Sequence, residues 1–204
     1  MEQMSAAILC GGKSRRMGQN KARLPWEGRE LLDVIAQGLT GAEEILLAAA
    51  AAEDYADKPY QVAADLFTGC GPLAGLHAAL TVCRAPLLFI TACDTPLADW
   101  NTARILHSFL EERWDAAVPV DSSGRLHPLC GLYRKRALPA MAEHLEAGQY
   151  RVTEALHALS VCHVPAGALP YGEDTLKNLN TPEEYQAFLQ QWRASGRRNA
   201  GSQL

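Results

Sequence analysis

The sequence predicts a three-layer α/β fold with a mostly parallel central sheet. Two patterns carry the prediction. Short apolar runs alternate along the chain with segments of helical periodicity, which is the signature of strand–helix–strand units. Several of those runs are apolar at consecutive positions, as strands covered on both faces must be. A length of 204 residues fits one domain with a substantial core.

Taken in chain order, the first strand is expected at 6–10 (AAILC), ending at Gly11 and Gly12. Residues 29–39 place apolar side chains at helical spacing. Strands follow at 44–49 (EILLAA) and 61–65 (QVAAD). The segment 71–83 (GPLAGLHAALTVC) opens a helix on Pro72, which a first helical turn tolerates because its N–H would have no partner there. A strand at 86–94 (PLLFITACD) is stopped by Pro96, and 101–114 is an amphipathic helix. Strands at 115–120 (DAAVPV) and 130–134 (CGLYR) come next, then a helix over 136–148 that ends on a glycine suited to its C-terminal cap. The helix over 181–192 begins with a capping box: Thr181 as N-cap, Pro182 at the first position and Glu184 at the third. Residues 1–192 are expected to form the single domain. The segment 193–204 lacks apolar anchors and is expected to be a disordered tail.

Composition excludes several classes. The net charge is −4, so no general basic field draws nucleic acid or an anionic lipid surface. The N-terminus has no basic region before its short apolar run, and no stretch reaches the ~20 apolar residues of a membrane span. The six cysteines form no CxxC pair and most sit in apolar runs, as reduced thiols of a cytoplasmic protein do. The six histidines show no metal-binding spacing.

Against that acidic background, five of the 19 Lys and Arg residues fall within positions 13–23: Lys13, Arg15, Arg16, Lys21 and Arg23. They follow a buried strand and two glycines that let backbone approach a ligand, with a helix N-terminus expected next. Together these describe a polyphosphate cradle. It is not a Walker A loop, because no GK[ST] follows. In open α/β sheets ligands bind beyond the carboxyl ends of the strands. There the chain also places Asp65, the stretch GCGPLAG, Asp94, Arg125 with His127, and Asn178 with Asn180. A carboxylate at the end of a strand, facing a phosphate cradle, suits Mg²⁺, which takes one or two carboxylates plus phosphates and waters. Residues 69–74 also match G-x-G-x-x-A, with Asp94 twenty residues on, and so admit a nucleotide-linked oxidoreductase.

The segments together resemble a known family. LCGGKSRRMGQNKARLPWEG is similar to the signature of small-molecule nucleotidyltransferases. DLFTGCGPLAGLHAAL, CDTPL, HPLCGLY and NLNTPEEY follow in the order found in molybdenum cofactor guanylyltransferases. The resemblance covers residues 5–192. It implies a Rossmann-like nucleotidyltransferase fold and a cytoplasmic, Mg²⁺-dependent enzyme. That enzyme would transfer GMP from GTP to molybdenum-loaded molybdopterin, with molybdoenzymes or their chaperones as receivers of the product. Carried over by position, Leu9, Cys10, Gly11, Gly12, Lys21, Asp65 and Asp94 would contact GTP. Asp94 would hold Mg²⁺, and Arg15, Lys21 and Asp94 would carry the chemistry. Cys10 stands where the family usually has alanine. Residues 48–52 are all alanine where the family often has a nucleotide-binding asparagine, so no residue is carried over there. The same resemblance leaves open a cytidylyltransferase or another transferase of this fold, and a binding module without catalysis.

Overall fold

The structure, a computed structural model, describes residues 2–10 and 20–194. β1 (Met4–Leu9) is buried at every position. Its alternate side chains serve two different cores: Met4, Ala6 and Ile8 one, Ala7 and Leu9 the other. A single 3₁₀ turn (Lys21–Arg23) precedes a small hairpin of β2 (Pro25–Trp26) and β3 (Arg29–Glu30), and α1 (Leu31–Gly38) follows. Then come β4 (Ile45–Ala49), β5 (Gln61–Ala64), α2 (Pro72–Val82), β6 (Leu87–Ala92) and α3 (Trp100–Phe109). The chain continues through β7 (Ala116–Val120), β8 (Gly131–Arg134), α4 (Leu138–Glu146), α5 (Val152–Ala155), β9 (Val161–Pro165) and α6 (Pro182–Ala194).

The sheet has seven strands in the order β5-β4-β1-β6-β8-β7-β9. The pairs β1–β4, β1–β6, β4–β5 and β7–β9 are parallel, while β8 runs against both its neighbours. The link from β7 to β8 is too short for a crossover, so the chain must double back. Helices α1, α3 and α6 cover one face, and α2, α4 and α5 the other. The predicted three-layer architecture is thus the observed one.

The differences have physical reasons. The β2–β3 hairpin is unpredicted because each strand is two residues long, below any periodic signal. Its turn places Glu27 at φ 49° and Gly28 at φ 83°, the left-handed pair that a two-residue hairpin needs. β9 is also unpredicted. It lies at the sheet edge, with His163 exposed and Cys162 half-buried, so its sequence lacks an apolar run. The helix expected over 101–114 ends at Phe109. At the other end of the chain α6 continues to Ala194, two residues past the expected boundary at 192. The helix expected after the first loop is only the 3₁₀ turn at Lys21–Arg23, capped by Asn20, whose Oδ1 accepts from the Ala22 N–H at 3.0 Å. A single turn has little dipole, so cationic attraction there falls to Lys21 itself. No described helix is long and apolar enough to cross a membrane.

Candidate active site

The carboxyl ends of β1, β4, β5 and β6 lie side by side, because these neighbours in the sheet are all parallel. They bring Leu9 and Cys10, residues 48–52, Asp65 and Asp94 to one edge. Of the predicted site residues, Gly11, Gly12 and Arg15 lie outside the described residues.

Lys21 and Asp94 meet directly. The Lys21 ammonium donates to Asp94 Oδ2 at 2.9 Å and to Asn180 Oδ1 at 3.0 Å. Asp94 is set by the end of β6, and its carbonyl accepts from the Leu179 N–H at 2.8 Å. That bond docks the 178–181 segment on the strand end. Leu179 is fully buried. Alternation along the extended segment then turns Asn178 and Asn180 the other way, toward the site. Asn178 Oδ1 accepts from Thr95 Oγ1 at 3.2 Å. The capping box holds the segment's far end: Thr181 Oγ1 accepts from Glu184 N–H, and the Glu184 carboxylate accepts from the N–H groups of Asn180 and Thr181.

Cys10 has its side chain in the core on the α1 face, so a cysteine in place of alanine leaves the site's surface unchanged. Burial beside Cys93 pushes its thiol far above the ordinary range. Its carbonyl accepts from the Tyr55 hydroxyl at 3.1 Å, and Asn20 Nδ2 donates to that same hydroxyl at 3.0 Å. Tyr55 therefore bridges Cys10 and Asn20. Sequence reasoning missed Tyr55 and Thr95, since neither residue type carries a signal at its position until the fold brings it to the strand ends.

Asp65 follows β5, and its N–H donates to the Ala49 carbonyl at 3.1 Å. Its Oδ1 is buried without a hydrogen-bond partner, and desolvation raises its carboxyl above the ordinary 3.8. Beside it lies Gly75. A Cβ there would stand 2.6 Å from Leu9 Cδ2 and 3.7 Å from Asp65 Oδ1. Gly69 and Gly71, at φ 77° and 72°, turn the backbone into α2 under this corner. The alanines at 48 and 49 are buried and line the neighbouring strand with methyl groups only.

Oδ1 of the half-buried Asp65 thus lacks the donor that a buried carboxylate oxygen normally has. Beside it stands a lysine–aspartate pair at the edge of a parallel sheet. The carboxyl edge of an open, mostly parallel sheet is where such α/β enzymes bind their ligands. The sequence model of the MobA-like NTP transferase domain matches residues 6–160, and the chain belongs to that family. It is a nucleotidyltransferase, and residues 69–74 serve that fold rather than a dinucleotide-binding one. Over 192 residues it is 35% identical to a protein of Carboxydothermus hydrogenoformans named probable molybdenum cofactor guanylyltransferase, covering 93% of this chain and 96% of that one. A Bacillus subtilis protein of the same name is 32% identical over 183 residues, covering 87% and 90%. Among solved structures, molybdopterin-guanine dinucleotide biosynthesis protein A of Archaeoglobus fulgidus superposes with a TM-score of 0.82 at 20% identity, covering 93% and 99% of the two chains. The 2-C-methyl-D-erythritol 4-phosphate cytidylyltransferase of Thermus thermophilus shares the fold with a TM-score of 0.67 at 21% identity, covering 95% and 100%.

The oxygen donors here suit a hard cation. No cluster of three or more His, Cys, Asp or Glu able to hold a metal exists among the described residues. The Asp94 carboxylate is the donor type that Mg²⁺ takes when water and phosphate supply its other ligands, while Asp94 Oδ2 and Asn180 Oδ1 accept from Lys21 and Asn178 Oδ1 accepts from Thr95.

Proposed function

We propose that the protein transfers GMP from GTP to molybdenum-loaded molybdopterin, forming the guanine dinucleotide cofactor and releasing pyrophosphate. The observation that carries the choice of base is the unpartnered Oδ1 of Asp65. Guanine offers two adjacent donors, N1–H and the 2-amino group, to a carboxylate. Cytosine offers only its 4-amino group. The alanines at 48–52 supply no side-chain donor or acceptor, so discrimination falls on Asp65.

In this reading the main chain at Leu9, Cys10, Gly11 and Gly12 approaches the triphosphate. A terminal phosphate oxygen of the acceptor attacks the α-phosphorus in line, the α–β bridging bond breaks, and pyrophosphate leaves with that electron pair. Lys21 and Arg15 offset the negative charge that builds on the phosphate oxygens. Asp94 would hold Mg²⁺, which when bound supplies Lewis-acid stabilisation of phosphate charge. Asn180 holds the Lys21 ammonium in place beside Asp94. The acceptor phosphate is already ionised, so the site requires no strong general base.

The test is an assay with molybdopterin, molybdate and either GTP or CTP, following pyrophosphate and the dinucleotide product. Product with GTP, lost on chelation of divalent cations, supports the proposal. Product with CTP alone moves the enzyme to cytidylyl transfer. Nucleotide binding without turnover makes it a binding module.

A further inference from the structure

A cavity of about 440 Å³ adjoins the catalytic corner. Thr95, next in the chain to Asp94, and Asn178, its hydrogen-bond partner, line one side, and Arg125, His127 and Tyr150 line it elsewhere. Its size suits a small polar heterocycle.

The turn after β7 builds one wall with unusual care. Asp121 Oδ1 accepts from the N–H groups of Ser123 (2.9 Å) and Arg125 (3.0 Å) and from the Ser123 hydroxyl (2.6 Å). Gly124 closes the turn at φ 83°. The other carboxylate oxygen, Oδ2, lies 2.9 Å from His127 Nε2. These donors hold the Asp121 carboxyl well below its ordinary range, so it is an ionised, acceptor-only group. In the neutral form of the ring, the hydrogen of His127 then sits on Nε2 facing Asp121, and Nδ1 is the acceptor. Among the described residues nothing bonds Nδ1. Nor does the Arg125 side chain have a partner among the described residues. Two positions apart on one extended segment, a fixed acceptor and a free guanidinium thus share one cavity wall.

We infer that this wall recognises the acceptor substrate. Arg125 donates to a carbonyl oxygen, and His127 Nδ1 accepts from the adjacent ring N–H, so the pair reads the lactam edge of a heterocycle. Asp121 is the positioning residue that sets the imidazole tautomer. The inference rests on the guanylyl-transfer reading for the identity of the acceptor and assigns the groups that hold it.

The test compares His127→Ala, His127→Asn, Arg125→Ala and Asp121→Asn with wild type, after circular dichroism shows each folded. Expected for His127→Ala is a rise in acceptor KM of roughly tenfold, the loss of one hydrogen bond, with GTP KM and kcat within about twofold of wild type. His127→Asn, whose amide can occupy the Nδ1 position, recovers part of that affinity. Arg125→Ala, which removes no bond of the fold, raises the same KM. Asp121→Asn raises it in the wild-type background and has no further effect on His127→Ala, an outcome that a merely structural role would not produce. An unchanged acceptor KM in both His127→Ala and Arg125→Ala overturns the inference and leaves guanylyl transfer standing. A wild type that binds GTP but transfers no GMP to molybdopterin refutes guanylyl transfer instead. Quenching of pterin fluorescence by wild type and His127→Ala without GTP then reads this wall directly: equal affinities overturn it, weaker binding by the variant upholds it.

Discussion

Replacing Asp65 by Asn is expected to stabilise the protein and to cripple its use of GTP. An unpartnered buried polar group costs about 1–3 kcal/mol. Only one oxygen of Asp65 is fully buried and the side chain as a whole is half-buried, so the lower end applies, about 1 kcal/mol. For a chain of this size that raises Tm by ~2–4 °C. The sign follows from the carboxyl's position. Desolvation raises its folded value above the ordinary 3.8, so the folded state holds the proton more tightly than the unfolded one. The penalty is absent below the unfolded value, grows as pH rises through the window up to the raised folded value, and is constant above it. Asn removes the part of it that comes from the charge, so the gain over wild type is full at neutral pH and vanishes in acid. For binding, in the proposed complex the Asp65 carboxylate faces two guanine donors, so Asn loses at least one charge-assisted bond and sets an amide donor against them. The cost is about 3 kcal/mol or more, roughly 100-fold in GTP affinity. Thermal melts from pH 3 to 8 and nucleotide titrations measure both. A variant less stable than wild type at neutral pH, or one that binds GTP and CTP as wild type does, refutes the reasoning.

Lys21→Met should lower turnover by about 10²–10³ with a much smaller change in GTP KM, since in the proposed mechanism its charge acts on the phosphates as bonds change; steady-state kinetics with GTP and acceptor check the split. In Gly75→Ala the new Cβ would sit 2.6 Å from Leu9 Cδ2. Better helix propensity, about 1 kcal/mol, offsets part of an overpacking cost of ~1–3 kcal/mol, and Leu9 is pushed toward the nucleotide. The expected result is a GTP KM raised several-fold with a Tm lowered by only a few degrees, read by kinetics and calorimetry. Thr181→Ala removes the cap acceptor of α6 and should cost about 1 kcal/mol, seen as a shift in denaturant midpoint with unchanged m-value.

Much of this site was legible in one dimension. Asp65 and Asp94 announced themselves as acids closing apolar strands, and a sheet of parallel strands must deliver its strand ends to one edge. The capping box at Thr181 was readable because its residues interact within one helical turn. The order of apolar runs and helical segments determined the layers, since period and burial are local properties. What the tertiary structure alone decided concerns pairs distant in sequence. Lys21 reaches Asp94 across 73 positions and Asn180 across 159. Tyr55 clamps Cys10 across 45. Whether Asp65 has a donor, whether the free edge of His127 is an acceptor, and whether Asn178 and Asn180 serve a helix start or an active site all depend on what packs beside them. No local pattern encodes those neighbours. Backbone propensity and hydrophobic period act over a few residues, whereas hydrogen-bond satisfaction and desolvation are settled only when separate elements meet at the carboxyl edge of the sheet.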